Sequence, residues 1–161
     1  MQMNAQGLSF LVADDAPLVA VLVRELLLEA GVDRVLTAAD GAQALHLFRQ
    51  TAPDGVVLDI HMPGLDGLAV LQAIRAGQRV GAEPPLVIVM TSHEEASLRA
   101  HALAAGADHF LHKSRDIERL LEIVPGLLAR RAGRVRKLPT GAKNLPTGRE
   151  AAQGPSCGLS K

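Results

Sequence analysis

Short apolar runs alternate with longer segments of helical periodicity along the first 130 residues of the chain. The short runs are rich in Val, Leu and Ile and end abruptly at polar residues, which is typical of buried strands. Strands are therefore predicted at residues 8–13, 35–38, 56–58, 86–90 and 109–111. The longer segments predict helices at residues 17–28, 41–50, 67–76, 94–105 and 117–132.

Individual residues mark where several of these helices begin and end. Pro17 suits the first turn of the first helix, and Gly31 marks its end. Asp40 and Asp116 are expected to cap the second and fifth helices with their side chains.

Five strands that alternate with five helices predict a parallel sheet with helices on both faces. Because crossovers between parallel strands are right-handed, the expected fold is a doubly wound α/β domain. In such sheets the functional residues lie in loops that follow the carboxyl ends of the strands. The pattern therefore predicts where the chemistry of this protein should be found.

Acidic, hydroxyl and amino side chains follow four of the predicted strands. Asp14 and Asp15 end the first strand, Asp59 ends the third, Thr91 ends the fourth, and Lys113 follows the fifth. Neighbouring carboxylates repel one another unless a hard cation such as Mg²⁺ binds between them. A phosphate suits the same place, because Mg²⁺, an ammonium and a hydroxyl together neutralise its charge. Each residue alone has a simpler explanation, such as a helix cap or a solvated lysine, but their conjunction predicts a phosphate and Mg²⁺ site.

The segments that contain these residues resemble the receiver domain of two-component response regulators, the CheY-like family. The resemblance covers roughly residues 7–130 and implies a flavodoxin-like, five-stranded sheet with the strand order 2-1-3-4-5. The segments that carry it are LVADD at 11–15, VVLDIHMPGLDG at 56–67, VIVMTS at 87–92 and GADHFLHK at 106–113.

The resemblance implies a phosphoacceptor and a set of metal ligands. Asp59 is expected to accept a phosphoryl group from a sensor histidine kinase or a histidine phosphotransfer protein. Asp14, Asp15, Asp59 and the backbone carbonyl of His61 are the expected ligands of Mg²⁺.

The resemblance also implies how phosphorylation changes the domain. Lys113 is expected to pair with the phosphoryl group, Thr91 to move toward it, and Phe110 to turn inward. The family usually has proline after this lysine, whereas this chain has Ser114. A cis peptide is costly without proline, so the isomer of the Lys113–Ser114 bond stays open.

His61 and His93 each lie two residues beyond a site residue, Asp59 and Thr91 respectively. One interpretation is that they are surface loop histidines. The other is that they control the access of water and so tune the lifetime of the aspartyl phosphate in a pH-dependent manner.

Composition narrows the classes of function. Aromatic residues make up 2% of the chain, so an aliphatic core is predicted and aromatic base-stacking platforms are excluded. Cys157 is the single cysteine, which excludes an internal disulfide and a cysteine-based zinc site. The apolar runs are too short to span a membrane, and the N-terminus does not resemble a secretory signal. A soluble, cytoplasmic protein without membrane contacts is expected.

The charge of the chain is divided unequally. Residues 1–129 hold nine Lys and Arg against sixteen Asp and Glu, whereas residues 130–161 hold eight against one. The receiver-like domain is therefore assigned to residues 7–130, and residues 131–161 form a basic tail rich in Gly and Pro. The tail repeats LPTG at 138–141 and 145–148 and has no helical or strand periodicity, so disorder is expected. Its end faintly resembles the start of a LuxR-type output domain, but it is too short for three helices, and no DNA-binding domain is expected.

The expected function is that of a single-domain response regulator, which is not an enzyme and acts on a downstream protein target. Its expected contact surface comprises the fourth helix, the fifth strand and the fifth helix near Phe110, and a phosphorylation-dependent homodimer is a candidate assembly. One alternative is that the basic tail contacts nucleic acid. Another is a Mg²⁺-dependent phosphohydrolase with an aspartyl-phosphate intermediate, although His61 stands where a second acid would be needed. A flavin-binding protein is disfavoured because Asp14 and Asp15 would repel a bare phosphate.

Overall fold

The computed structural model describes residues 7–78, 80–93 and 95–135. The strands are β1 (Ser9–Ala13), β2 (Arg34–Ala38), β3 (Gly55–Asp59), β4 (Leu86–Thr91) and β5 (His109–His112). The helices are α1 (Pro17–Glu29), α2 (Gly41–Thr51), α3 (Gly67–Ala76), α4 (Ala96–Ala104) and α5 (Leu120–Val135), and a 3₁₀ turn at Ile117–Arg119 precedes α5. All strands are parallel in the order β2-β1-β3-β4-β5, which confirms the predicted fold and strand order.

The core lies in two layers, one on each face of the sheet. Alternate residues of a strand point to opposite faces, so each central strand contributes to both layers. Helices α2, α3 and α4 cover the layer that contains Leu11, Val56, Leu58, Val87 and Val89. Helices α1 and α5 cover the layer that contains Phe10, Val12, Val57, Ile88 and Met90. Because β4 is buried on both faces, it shows a continuous apolar run instead of alternation.

Several boundaries differ from the prediction. The strands β3 and β4 end at Asp59 and Thr91, the residues predicted to end them, one residue beyond the predicted ranges 56–58 and 86–90. Helix α4 begins two residues later than predicted, at Ala96. Helix α5 continues to Val135, past the boundary assigned to the domain, and the basic tail beyond it lies outside the described residues. Within the described part of the chain, no helix is both long and apolar enough to cross a membrane.

The two predicted caps have different outcomes. Asp40 caps α2 as predicted, because its carboxylate accepts a hydrogen bond of 2.7 Å from the Gln43 amide. The prediction for Asp116 is wrong. Its carboxylate turns back to accept the amide of His112 at 3.0 Å, and the chain enters α5 through the 3₁₀ turn.

Arg75 connects three segments at the end of the sheet where the strands begin. Its guanidinium donates to the carbonyl oxygens of Gly106, at 2.9 and 2.7 Å, and of Pro85, at 3.0 Å. It also pairs with Asp108 at 3.0 Å, and the same carboxylate oxygen accepts the amide of Val87 at 2.8 Å. Helix α3 is thereby joined to the starts of β4 and β5, the two strands that carry Thr91 and precede Lys113.

We expect the Arg75→Met substitution to lower the free energy of unfolding by about 2–3 kcal/mol, because it leaves carbonyls and a carboxylate without their charged donor. Urea denaturation measures this change. Arg24→Met is the matched control, because Arg24 pairs with Glu25 on the exposed surface of α1 and should change stability by less than about 0.5 kcal/mol. Equal losses in the two variants would contradict this account of Arg75.

Candidate functional site

Three carboxylates meet at the edge of the sheet where the strands end. Asp14 and Asp15 follow β1, and Asp59 ends the neighbouring strand β3. Each offers an oxygen atom, and these oxygens all lie within 4.8 Å of one another. Asp14 and Asp59 are buried, with 6% and 4% of their surface exposed, whereas Asp15 is exposed. The structure thus brings together the three acids that the sequence predicts to lie side by side.

Backbone contacts hold the two buried acids in place. The Asp14 carboxylate accepts the amide of Ala16 at 2.8 Å, in the turn that leads into α1. The Asp59 carboxylate accepts the amide of His61 at 3.3 Å. Gly67, the first residue of α3, packs directly against the Asp59 carbonyl, where any larger side chain would collide with it. Glycine at this position therefore lets α3 approach the end of β3.

Lys113 lies between the two buried carboxylates. Its Nζ atom is 2.6 Å from Asp14 Oδ2 and 3.1 Å from Asp59 Oδ2. Its backbone amide donates to the Thr91 carbonyl at 2.9 Å, which continues the pairing of β4 with β5 to the edge of the site. No peptide bond among the described residues is cis, so the bond between Lys113 and Ser114 is trans.

Burial and mutual repulsion shift the protonation equilibria of this cluster. Burial raises the pKa of the Asp59 carboxyl above its ordinary value, and the charge of Asp14 adds to this, although Lys113 and the His61 amide oppose it. Burial alone would lower the pKa of Lys113, but its hydrogen bond to Asp14 and the charge of Asp59 outweigh burial and raise it. A single ammonium therefore compensates two buried acids only in part, and the oxygen donors fit a further hard divalent cation such as Mg²⁺.

The raised pKa of Asp59 predicts that Asp59→Asn stabilises the protein at neutral pH when EDTA is present. A group with a raised folded-state pKa contributes stability at low pH and loses it as the pH rises through that pKa. At pH 7 the ionised Asp59 therefore costs stability, and asparagine removes this cost while Lys113 keeps Asp14. We expect a higher Tm for the variant at pH 7. The difference should shrink as the pH falls, and a pH-independent difference would contradict the prediction.

Thr91 is the last residue of β4, and Phe110 lies in β5, the strand that pairs with β4. Thr91 is fully buried, and its hydroxyl oxygen accepts the amide of His93 at 3.1 Å. The Phe110 ring is 9% exposed and packs into the core layer under α4. The guanidinium of Arg99 lies 5.9 Å from the centre of the ring, within the range of a cation–π contact. Phe110 therefore occupies an inward position in this structure, and its predicted movement stays a prediction.

Three histidines lie at this edge of the sheet: His61 and His93 in the loops after β3 and β4, and His112 at the end of β5. The exposed rings of His61 and His93 meet edge to face, with their centroids 4.6 Å apart. His112 connects the loops after β4 and β5 through its ring nitrogens. Sequence spacing indicates no role for His112, because its partner Ser92 is twenty residues away and comes within reach only when β4 and β5 pair.

Comparison with known proteins assigns most of the chain. The response regulator receiver domain family matches residues 10–125. Chemotaxis protein CheY from Bacillus subtilis is 31% identical over 114 residues, which cover 71% of this chain and 92% of CheY. The transcriptional regulatory protein PrrA from Mycobacterium leprae is 42% identical over 120 residues, covering 74% of this chain and 49% of PrrA.

A further relative extends the match. Protein-glutamate methylesterase/protein-glutamine glutaminase 5 from Myxococcus xanthus is 36% identical over 155 residues, covering 89% of this chain but 44% of the relative. This chain thus spans half or less of that protein and of PrrA.

Solved structures agree with the sequence relatives. The signal receiver domain of the response regulator NarL from Mycobacterium tuberculosis aligns with a TM-score of 0.67 and 34% identity, covering 79% of this chain and 98% of that domain. A chain of the CheX–CheY–BeF3–Mg²⁺ complex from Borrelia burgdorferi aligns with a TM-score of 0.66 and 26% identity, covering 75% of this chain and 89% of that chain.

Proposed function

The chain belongs to the receiver domain family of response regulators, and on this premise we propose that it accepts a phosphoryl group on Asp59 and thereby switches its contacts with other proteins. The observation that carries the proposal is the position of Lys113. Its ammonium lies within 3.1 Å of Asp59 and within 2.6 Å of Asp14, at the same edge as Asp15. A cation held against one oxygen of a buried nucleophile is placed to stabilise the charge of a transferring phosphoryl group.

In the proposed reaction a carboxylate oxygen of Asp59 attacks the phosphorus atom. A new oxygen–phosphorus bond forms, and the bond from phosphorus to the donor breaks, so that the donor leaves with the bonding electrons. Lys113 compensates the negative charge on the phosphoryl oxygens. Because Lys113 compensates the charge of the acids only in part, we infer that one more cation completes the phosphoryl-accepting site.

We assign that cation to Mg²⁺, with Asp14, Asp15, Asp59 and the His61 carbonyl as its protein ligands. The carboxylate oxygens of the three acids are close enough to share one ion. When bound, Mg²⁺ would neutralise charge on the acids and on the phosphoryl oxygens. The aligned structure from Borrelia burgdorferi is a CheX–CheY complex that contains Mg²⁺, and the similarity of that chain to this one supports the assignment.

Thr91 and Phe110 are the proposed switch residues. The Thr91 hydroxyl is buried at the same edge as Lys113, and we assign it a contact with the phosphoryl group after transfer. Phe110 borders a cavity of about 410 Å³ that is also lined by Arg99 and Asp116. A change at Thr91 can reach this cavity through β4, which pairs with β5. We therefore assign the surface of α4, β5 and α5 as the binding site for the downstream protein target or for a second phosphorylated copy.

We assign a sensor histidine kinase or a histidine phosphotransfer protein as the phosphoryl donor. Leu18, Val21 and Leu22 are exposed on α1, with 86%, 55% and 49% of their surfaces accessible. This helix begins directly after the acidic cluster, so an apolar surface lies beside the acceptor. Such a patch suits a transient protein contact, because it is small compared with a stable interface.

Incubation with acetyl phosphate tests the proposed acceptor directly. We expect the intact mass to increase by one phosphoryl group, about 80 Da, on a single aspartyl nucleophile, and the increase should require Mg²⁺. Asp59→Asn should abolish it. Asp66→Asn is the matched control, because Asp66 lies nearby as the cap of α3 and asparagine caps helices equally well. An unchanged mass of the folded wild type with Mg²⁺, or labelling of Asp59→Asn, would refute the proposal.

We also propose that the ring pair of His61 and His93 limits the access of water to the phosphorylated Asp59. The two rings are in contact, and the backbone amides of His61 and His93 donate to the Asp59 carboxylate and to the Thr91 hydroxyl respectively. His61→Ala should therefore accelerate loss of the phosphoryl group several-fold at constant pH, as followed by intact mass after removal of acetyl phosphate. His46→Ala, on the exposed face of α2, should leave the rate unchanged, and equal rates in both variants would exclude this role.

A further inference from the structure

His112 joins the two loops that leave the edge of the site. Its Nε2 atom lies 3.1 Å from the carbonyl oxygen of Ser92. Its Nδ1 atom lies 3.3 Å from the amide nitrogen and 3.0 Å from the hydroxyl oxygen of Ser114. The ring therefore spans from the residue after Thr91 to the residue after Lys113.

The partners determine which ring nitrogen carries the proton. A carbonyl oxygen only accepts, so Nε2 must donate to Ser92, whereas an amide N–H only donates, so Nδ1 must accept from Ser114. Both bonds form together only when the imidazole of His112 is neutral with its proton on Nε2. In this one tautomer the ring forms hydrogen bonds with both loops.

The backbone around His112 is held as well. The His112 amide donates to the Asp116 carboxylate at 3.0 Å, and the Asp116 amide donates to the His112 carbonyl at 2.9 Å. These bonds fix the main chain from which the ring projects. The position of the imidazole relative to Ser92 is therefore determined by the turn after β5.

The contact lies where the backbone pairing of β4 and β5 ends. Thr91 is in register with His112, and the bond from the Lys113 amide to the Thr91 carbonyl follows directly. Beyond this point the imidazole of His112 continues the connection between the ends of β4 and β5 through a side-chain hydrogen bond. Thr91 and Lys113, which supply the hydroxyl and the ammonium of the site, are each adjacent to one end of this connection.

We propose that His112 is a positioning residue for phosphoryl transfer to Asp59, because its neutral imidazole ties the loop after Thr91 to the loop after Lys113. This inference rests on the proposed function. Groups that are held in place before the reaction lose less freedom during it, so the connection accelerates transfer. Because the contact is close to solvent, its loss should slow the reaction without abolishing it.

Two substitutions separate the link to Ser92 from the link to Ser114. The amide of glutamine can reach the position of Nε2 and donate to Ser92, whereas the shorter amide of asparagine reaches only the position of Nδ1. We expect His112→Asn to slow labelling by acetyl phosphate about five-fold, the effect of one lost hydrogen bond. His112→Gln should stay within about two-fold of wild type, because it keeps the bond between the loops. His101→Asn on the exposed side of α4 is the control and should have no effect.

The tautomer of His112 provides a readout that does not depend on phosphorylation. Nitrogen NMR of the imidazole should show a protonated Nε2 and an unprotonated Nδ1 at neutral pH. A proton on Nδ1, or equal labelling rates for His112→Asn and wild type, would overturn the inference. If the wild type itself takes up no phosphoryl group, the proposed function fails and the positioning role falls with it, whereas labelled wild type with unaffected variants refutes His112 alone.

Discussion

The contact of Lys113 with two buried carboxylates is the interaction on which the site depends. Asp14 follows β1 and Asp59 ends the adjacent strand β3, and each would be costly to bury as an unpaired charge. Lys113 reaches them from the far side of β4, which is possible because β5 pairs with β4 and β4 with β3. The strand order therefore determines the electrostatics of the site, and the compensation is incomplete because one ammonium faces two acids.

Lys113 compensates the negative charge of Asp14 and Asp59 only in part, and this connects the stability of the protein with its proposed function. A carboxylate whose pKa is raised by burial destabilises the folded protein at neutral pH, yet the same burial leaves Asp59 weakly solvated and oriented by few partners. The opposite end of the sheet shows the reverse situation. There the guanidinium of Arg75 is matched by carbonyl oxygens and by Asp108, and these contacts join the starts of β4 and β5. The charge of Arg75 is therefore matched by several partners, whereas the acids at the opposite edge share one ammonium.

The two loops at that edge are connected mainly through β4 and β5. Thr91, Lys113 and Phe110 belong to these strands or follow them, and the backbone ladder and the contact of the His112 ring with Ser92 join the two segments. Ser114 contributes to this arrangement, because it offers both an amide and a hydroxyl to the imidazole. A proline at this position would have no amide hydrogen to donate.

The sequence by itself determined the fold class, the strand order through its family resemblance, and the acids, threonine and lysine that gather at one edge. Strand ends are recognisable because a buried apolar run stops at a polar residue, and parallel topology then brings these ends together. Local patterns did not reveal that Asp116 binds the His112 amide instead of capping a helix. They also did not reveal the role of Arg75 or the contact of His112 with Ser92. Each of these depends on partners that are distant in the chain or compete locally for one carboxylate, and only tertiary structure decides which partner is within reach.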